Sequence, residues 1–220
     1  MTIKLTTPST ISDFTVRRLS IYYHILDELN QNGVTVVSSE TLGELSRVTS
    51  AQVRKDLSLF GNFGRRGLGY TVPELKEKLA RILGLHQQWK IALIGAGNLG
   101  SALCSYKNFK RQGFEIVAVF DKHPAKVGQM WNQLKIQHMD EFSDTVQALS
   151  VTIAIIAVPL SEAQAVADIV VASGIQSILN FAPRTLIVPS NVQLRNVNLA
   201  IELEGLTYHL THEHRPSPLG

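Results

Sequence analysis

The sequence predicts an α/β protein in two parts, an N-terminal winged-helix domain and a Rossmann-like parallel-sheet domain that ends in a further helix. Three observations lead to this prediction. Two short helical segments follow a longer one and precede a glycine-rich run. The apolar period changes from helical to strand-like at Lys90. A G-x-G-x-x-G segment then lies between a predicted strand and a predicted helix, as in nucleotide-binding α/β domains.

The winged-helix domain is predicted over residues 13–84, after a flexible tail over residues 1–12. Capping residues and helical apolar spacing predict four helices, which begin near Ser12, Ser38, Thr49 and Pro73. The second and third are short and separated by a few residues, which is the helix-turn-helix arrangement. The run GNFGRRGLGY (61–70) follows, and its glycines favour a β-hairpin, or wing.

A connector over residues 85–89 leads to the sheet domain, predicted over residues 90–201. Four short β-branched runs there are bounded by turn residues: KIALIG, FEIVAVFD, VTIAIIAVP and QSILNFAP. Helical segments, notably LSEAQAVADIVVASG (160–174), lie between them. Apolar strands that alternate with helices predict a parallel sheet covered on both faces. A helix over 202–212 and a tail over 213–220 complete the chain.

Gly95, Gly97 and Gly100 form the G-x-G-x-x-G segment, and Asp121 ends the second strand run. The glycines permit a tight turn, a close approach of the backbone to a pyrophosphate, and close packing of helix on strand. An acid at this spacing accepts hydrogen bonds from ribose hydroxyls and repels a 2′-phosphate, which predicts NAD(H) rather than NADP(H). Lys122 is expected to soften that repulsion. The alternative is a glycine turn in an unliganded domain.

Turnover of the nucleotide is not predicted. A dehydrogenase needs a proton donor or acceptor near the nicotinamide, and the candidates are Cys104, Tyr106, His138 and His209. Cys104 is interpreted as a buried helix residue, and the two histidines have no partner pattern. The sequence shows no cluster of metal ligands, and the nucleotide unit leaves no segment for a substrate domain. Binding without catalysis is the better interpretation.

The charge distribution points to a polyanion. Residues 1–89 hold 11 Lys and Arg against 8 Asp and Glu, whereas residues 90–220 hold 10 of each sign. In the third helix the polar side chains, which are of the types that pair with bases and phosphates, are Gln52, Arg54, Lys55 and Ser58. Asp56 is expected to orient a neighbouring cation or to accept from cytosine. Arg65 and Arg66 suit a narrow minor groove. The alternative is an ordinary charged helix and surface hairpin.

Cys104 is the only cysteine, so no intrachain disulfide can form and a reducing cytoplasm is expected. The first residues contain no apolar signal region, and no apolar run reaches the length of a membrane span. We expect a soluble cytoplasmic protein without a membrane partner.

The run QVRKDLSLFGNFGRRGLGYTVPEL, followed by GAGNLGSAL, VFD…P.K.G, AVP and ILNFAP, resembles the Rex family of redox-sensing transcriptional repressors over roughly residues 14–210. The resemblance implies a homodimer on palindromic double-stranded DNA, with NADH or NAD⁺ bound as a signal and not turned over. It implies that NADH releases the protein from DNA while NAD⁺ permits binding. It also implies that the last helix, residues 202–212, is exchanged between subunits.

The candidate site residues follow from the motifs and this resemblance. The candidate DNA contacts are Ser39, Gln52, Arg54, Lys55, Asp56, Ser58, Arg65, Arg66, Gly67 and Tyr70. The candidate cofactor contacts are Gly95, Ala96, Gly97, Asn98, Leu99, Gly100, Tyr106, Asp121, Val158, Pro159, Asn180, Ala182 and Pro183, with Tyr106 near the nicotinamide.

Three positions depart from the family pattern. Members commonly pair an Arg in the first helix with an Asp before the final helix, and here His24 and Asn198 take those places. The pattern FDxDP becomes FDKHP, with His123 in place of an acid. The switch candidates are therefore His24, Tyr106 and Asn198. Two alternatives remain: an NAD-dependent oxidoreductase with a helical appendage, and a constitutive DNA-binding protein with a structural nucleotide site.

Overall fold

The computed structural model describes residues 11–64 and 68–212. The chain divides into two compact units, an N-terminal unit over Met1–Gln87 and a C-terminal unit over Gln88–Gly220. Within the described residues, no helix combines the length and apolar character needed to cross a membrane.

Over its described residues, 11–64 and 68–87, the N-terminal unit contains four helices and a two-stranded antiparallel sheet, and the helices begin where the sequence predicts them. Its elements are α1 (Asp13–Gln31), β1 (Val36–Val37), α2 (Ser39–Ser46), α3 (Ser50–Ser58), β2 (Tyr70–Thr71) and α4 (Val72–Ile82). The helices bury one apolar face each around a common core, formed by Leu19, Tyr22, Leu26, Leu42, Val53, Leu57, Leu75 and Leu79.

Helices α2 and α3 form the predicted helix-turn-helix. The Thr49 hydroxyl accepts a hydrogen bond from the Gln52 amide and caps α3. Arg47 ends α2 in a left-handed conformation, with φ 57°. Gly43 lets the turn lie against α2, because a Cβ there would stand 2.8 Å from the Val48 carbonyl oxygen. The turn is therefore short and closely packed.

The wing is built differently from the prediction. We expected a hairpin within residues 61–70, but the strand Tyr70–Thr71 pairs antiparallel with Val36–Val37, which precede the helix-turn-helix. The tip of the predicted hairpin, Arg65 to Gly67, lies outside the described residues. The pairing closes the segment that contains α2 and α3 into a loop between two hydrogen-bonded strands.

The described part of the C-terminal unit, up to residue 212, contains a seven-stranded sheet and five α-helices. Its elements are β3 (Trp89–Ile94), α5 (Asn98–Cys104), α6 (Lys107–Arg111), β4 (Phe114–Asp121), β5 (Met130–Trp131), β6 (Leu134–His138), α7 (Phe142–Leu149), β7 (Ile153–Ile156), α8 (Ala163–Ala172), β8 (Ser177–Asn180), β9 (Gln193–Asn196) and α9 (Leu199–His212). The four predicted strand runs correspond to β3, β4, β7 and β8. Helix α5 follows the glycine loop as predicted, and the short helix α6 comes shortly after it.

The sheet order is β5-β6-β4-β3-β7-β8-β9, with every pair parallel except β5 with β6. The six parallel strands thus follow the 3-2-1-4-5-6 order of the Rossmann fold, and the order reverses between β3 and β7. Both faces of the central strands are covered: Ala92 and Ile94 pack with α7 and α8, whereas Ile91 and Leu93 pack on the opposite face. Ligands of such sheets bind at the reversal point, beyond the carboxyl ends of the strands.

Helix α9 carries an apolar surface that the rest of the described chain leaves uncovered. It begins at Leu199, three residues before the predicted start, because the Asn198 side chain accepts a hydrogen bond from the Ala200 amide and caps it. Gly205 does not interrupt it. Its exposed apolar side chains, each 60–71% accessible, are Leu199, Ile201, Leu203, Leu206, Tyr208 and Leu210.

Candidate nucleic-acid interface and nucleotide site

Helix α3 presents a polar, basic face to solvent. Arg54, Lys55 and Ser58 are exposed, while Val53 and Leu57 are buried on the opposite side. The Ser58 hydroxyl donates to the Lys55 carbonyl oxygen at 2.8 Å. A second helix of a helix-turn-helix with cations on its outer face is suited to the major groove of DNA.

Arg54 is held by residues at the start of α2. Its guanidinium donates to the Ser39 hydroxyl at 2.7 Å and lies 3.2 Å from a carboxylate oxygen of Glu40. Ser39 is largely buried beneath Arg54 and supports it, and a contact of Ser39 itself with DNA stays a prediction. Glu40 was missed by the sequence reasoning, since no local pattern shows that α2 and α3 bring it to Arg54.

Asp56 lies inside the N-terminal unit. It is 1% exposed, and its carboxylate accepts from Arg18 at 2.6 and 2.7 Å, from the Tyr22 hydroxyl at 2.9 Å, and from Gln52 at 2.8 Å. The predicted roles of Asp56, orienting Arg54 or Lys55 or reading cytosine, are therefore wrong. Its carboxylate is enclosed by α1 and α3 and ties the two helices together.

The charge of Asp56 is stabilised where it lies. Burial alone raises the pKa of a carboxyl group, but the hydrogen bonds from Arg18, Gln52 and Tyr22 outweigh it and hold the pKa of Asp56 below its ordinary value. Burial and the hydrogen bond to Asp56 raise the pKa of Tyr22. The group is thus an ionised carboxylate paired with Arg18.

Of the predicted wing residues, Tyr70 is the one that the structure describes, and it is a core residue. Its ring lies against Gly64, where an added Cβ would be 2.8 Å from a ring carbon. Tyr70 thus shapes the base of the wing, and because it lines a surface cavity together with Arg54 and Ser58, its contact with DNA stays a prediction. Arg65, Arg66 and Gly67 lie outside the described residues.

The glycine loop connects β3 to α5 at the reversal point of the sheet. Gly95 has φ +108°, and a Cβ there would overlap the Ala157 carbonyl oxygen; one at Gly100 would overlap the Gly95 carbonyl oxygen. Gly97 differs, because a Cβ there would meet no described atom within 4 Å. The fold itself thus requires two of the glycines, and the third leaves open space in which a pyrophosphate can approach the backbone.

Asp121 lies at the end of β4 and holds this loop. Its carboxylate accepts from the Ala96 amide at 2.7 Å, from the His123 amide at 2.8 Å, and from the Lys126 ammonium at 3.2 Å. Burial raises the pKa of Asp121, but these donors outweigh it and keep the pKa below its ordinary value. The predicted softening by Lys122 is corrected: the lysine on Asp121 is Lys126, and Lys122 pairs with Glu162 at 2.6 Å.

A cavity of about 470 Å³ lies beyond the ends of β3, β4 and β7. It brings together seven of the predicted cofactor residues, namely Gly95, Gly97, Asn98, Leu99, Asp121, Val158 and Pro159. Ala96 and Gly100 are buried behind it. Residues without a predicted contact also line it, including Lys126, Met139 and Glu162. Lys126 is the lysine of the motif VFD…P.K.G, so this motif could have identified it as a residue of the site.

The segment after β8 lies outside the lining of this cavity. Asn180 is fully buried, and its amide nitrogen donates to the carbonyl oxygens of Ala182 and Arg184 and to the Asn196 side chain, while its oxygen accepts from the Ala182 amide. The prediction that Asn180 contacts the cofactor is corrected to a role in holding this loop. Ala182 is buried and Pro183 is exposed.

The three switch candidates occupy three different places. His24 is exposed on α1, with its ring edge against Tyr23. Asn198 caps α9. Tyr106 lies in the turn between α5 and α6, about half exposed, with its ring edge on Phe109, and lines a separate cavity of about 440 Å³. Among the described residues, no cluster of three or more His, Cys, Asp or Glu is arranged to hold a metal ion.

The site residues fit a dinucleotide. The space at Gly97 admits a phosphate, and among the side chains described here none caps α5 at that point, so the amides of its first turn can face an anion. The Asp121 carboxylate lines the cavity where a ribose would lie. The basic outer face of α3 completes a chain that carries both a DNA-reading helix and a nucleotide site.

Comparisons with known proteins agree with this assignment. Residues 10–58 match the family described as putative DNA-binding protein N-terminus, and residues 86–184 match the family described as CoA binding domain. The redox-sensing transcriptional repressor Rex of Carboxydothermus hydrogenoformans is 46% identical over 92% of this chain and 98% of the relative. That of Chloroflexus aurantiacus is 46% identical over 91% of this chain and 95% of the relative.

Solved structures show the same fold. RSP, a Rex-family repressor, in complex with NAD⁺ and operator DNA is 38% identical, with a TM-score of 0.89 over 93% of this chain and 94% of that chain. RSP in complex with NADH is 36% identical, with a TM-score of 0.85 over 93% of this chain and 96% of that chain.

Fold and site define a transcription regulator that carries its own nucleotide-binding unit. The chain belongs to the Rex family of redox-sensing transcriptional repressors. This confirms the family and fold class that the sequence predicts.

Proposed function

We propose that this protein represses transcription by binding operator DNA through α3 and the wing, and that NADH in the C-terminal unit releases it while NAD⁺ permits binding. One observation carries the proposal: the same chain presents the exposed cations of α3 and a glycine loop that Asp121 holds open to a nucleotide. Its curated relatives are repressors, so the oxidoreductase alternative is set aside.

The DNA contacts proposed are Arg54, Lys55 and Ser58 on α3, with Gln52 partly exposed beside them. Arg54 suits a bidentate contact with guanine because Ser39 and Glu40 orient its guanidinium. Lys55 supplies a phosphate contact. Arg65, Arg66 and Gly67 complete the proposed contacts through the wing.

The protein is proposed to act as a homodimer in the cytoplasm. The apolar side chains of α9 support this, because six of them remain mostly exposed in the single chain and exposed apolar surface of this kind marks an interaction site. Packing of α9 on a second copy would cover them. A two-fold dimer carries two copies of α3, which predicts an operator with two inverted half-sites.

The decisive experiment is binding to a palindromic operator duplex, titrated separately with NADH and with NAD⁺. We expect salt-sensitive binding that NADH weakens and NAD⁺ does not. Equal affinities with the two cofactors would support constitutive DNA binding and contradict the proposed sensing.

The dimer is tested by sedimentation of the double variant Leu203→Glu/Leu206→Glu. Two charges on the apolar face should shift the protein to monomer, whereas Glu204→Gln, a change on the same helix, should leave it a dimer. A dimer that persists in the double variant would exclude α9 as the interface.

A further inference from the structure

We propose that Lys126 is a specificity-determining residue of the nucleotide site and limits how strongly the protein discriminates against a 2′-phosphorylated dinucleotide. The inference rests on the proposed function, since it takes NAD(H) as the ligand of the cavity. It concerns the ion pair of Lys126 with Asp121. Both residues belong to the motif VFD…P.K.G, but the sequence alone does not show that they are in contact.

The charged groups that line the cavity are two lysines and two carboxylates, and they are paired in a fixed way. Lys126 lies 3.2 Å from the Asp121 carboxylate, and Lys122 lies 2.6 Å from that of Glu162. His123 also lines the cavity, and its amide donates to Asp121. Asp121, the group expected to repel a 2′-phosphate, is therefore not an isolated anion.

The hydrogen bonds of Asp121 leave little acceptor capacity for a ribose. A carboxylate offers about four lone-pair sites. One oxygen accepts from both the Ala96 amide and Lys126, and the other accepts from the His123 amide. About one site remains, so a ribose diol could donate one hydrogen bond to Asp121 unless Lys126 moves away.

Lys126 can move, whereas the other donors to Asp121 are fixed backbone amides. Its side chain is 40% exposed, and a lysine ammonium is a point charge on a flexible stem. A 2′-phosphate placed beside Asp121 would lie within reach of this ammonium, which could turn from the carboxylate to the phosphate. Repulsion by Asp121 and attraction by Lys126 then oppose each other, and Lys126 reduces the penalty for NADPH.

Lys122 provides a matched control. It carries the same charge, follows Asp121 directly in the chain and lines the same cavity, but Glu162 holds its ammonium. If a positive charge anywhere in the cavity decided the discrimination between NADH and NADPH, Lys122 and Lys126 would have equal effects. If the contact with Asp121 decides it, removing Lys126 should have the larger effect.

The experiment measures the dissociation constants of NADH and NADPH, by cofactor fluorescence, for the wild type, Lys126→Gln, Lys122→Gln, Asp121→Asn and Asp121→Asn/Lys126→Gln. We expect Lys126→Gln to weaken NADPH relative to NADH by roughly tenfold, the scale of one charge-assisted hydrogen bond. Lys122→Gln should leave the ratio within about twofold, even if both affinities fall. Asp121→Asn should shift the ratio toward NADPH, and adding Lys126→Gln should abolish that gain.

Equal changes of the ratio in the two single lysine variants, or no change in Lys126→Gln, would overturn the inference while leaving NADH binding and the proposed function intact. A wild-type protein that binds neither cofactor would overturn the proposed function, and the inference with it. Since Lys126→Gln keeps a donor for Asp121, normal NADH affinity in this variant shows that the glycine loop is still folded.

Discussion

Each unit of the protein contains one aspartate that organises its functional site, and the two are held in opposite ways. Asp56 is 1% exposed, and every partner is a side chain, from Arg18, Tyr22 and Gln52. Asp121 is 9% exposed, and its partners are two backbone amides and the partly exposed ammonium of Lys126. The first carboxylate is closed to any ligand, and the second lines a cavity.

The partners of the two aspartates distinguish a carboxylate that positions a helix from one that can contact a ligand. Asp56 ties α3 to α1, while Arg54 and Lys55 lie on the exposed face of α3. Asp121 holds the glycine loop through the Ala96 amide, and part of its carboxylate faces the cavity proposed for the nucleotide. A buried carboxylate next to a functional surface can therefore serve either purpose, and its partners decide which.

The largest effect is expected for Asp56→Asn. Arg18 would lose its buried counter-ion, and breaking such a pair costs about 3 kcal/mol or more. We expect faster amide exchange in α1 and α3 and weaker duplex binding, with unchanged NADH affinity. Asp27→Asn is the matched control, because Asp27 pairs with Lys76 at the surface of the same unit, where such pairs contribute about 1 kcal/mol or less. Unchanged duplex binding in Asp56→Asn would contradict its positioning role.

The two carboxylates also predict the acid response. Because both pKa values are lowered by folding, both groups stabilise the protein above the ordinary carboxyl pKa of about 3.9, and this stabilisation is lost as pH falls through the lower folded values. Unfolding followed from neutral to acid pH should therefore show that the stability difference between wild type and Asp56→Asn shrinks toward acid. If the stability difference grew toward acid pH, its sign would contradict the prediction and exclude an ionised Asp56 paired with Arg18.

A second pair of variants tests the glycine loop, which Asp121 holds beside the cavity. Gly95→Ala forces a side chain into a positive φ and against Ala157, which should cost about 1–3 kcal/mol of stability and abolish NADH binding. Gly97→Ala meets no described atom, so its stability should change by about 0.5 kcal/mol or less while NADH affinity still falls. Thermal unfolding with and without NADH separates these outcomes. Full NADH affinity in Gly97→Ala would show that the cofactor does not approach this position.

For the DNA-binding face, Lys55→Ala should weaken binding to all duplexes and reduce the salt slope by about one unit, as for one lost phosphate contact. Lys110→Ala removes the same charge from the other unit and should not change the slope. Affinity measured over a series of salt concentrations distinguishes the two. Equal slopes for wild type and Lys55→Ala would remove Lys55 from the interface.

The smallest effect is expected for His24→Arg/Asn198→Asp. The double variant restores the Arg and Asp that family members commonly pair at these two positions. A charge-assisted pair is roughly twice as strong as a neutral hydrogen bond, so it should raise the ratio of the duplex affinity with NAD⁺ to that with NADH. Asp caps a helix as well as Asn does, so α9 should keep its start. The measurement is the ratio of duplex affinities with NAD⁺ and with NADH in the wild type and in the double variant. An unchanged, large ratio in both proteins would show that other contacts, such as Tyr106, supply the switch.

Much of the fold could be predicted because its signals are local. The apolar strand runs, the capping residues of α1 to α3 and the glycine loop each lie within a few neighbouring residues. The edge strands β5 and β9, and β6 next to β5, were missed, since segments such as QLRN (193–196) lack a continuous apolar run. They take strand form by pairing with neighbours already in the sheet.

The candidate site was predicted less well wherever a side chain finds its partner far along the chain. Asp56 meets Arg18 across 38 positions, and Asn180 meets Asn196 across 16. Neither separation leaves a local pattern, so both residues were assigned to ligands when the fold uses them internally. Lys126 is the converse case, a motif residue whose partner, Asp121, is shown by the structure and not by the sequence.

The bare apolar surface of α9 has a consequence for how the protein responds in the cell. A segment whose folded form is stabilised by a second copy gains that stability by mass action, so its folding depends on protein concentration. In the dimer proposed above, dilution would favour a chain with six apolar side chains in water, which proteases and chaperones recognise. The abundance of the protein would then act as a second input beside the redox state, setting how many DNA-competent dimers exist before any cofactor binds.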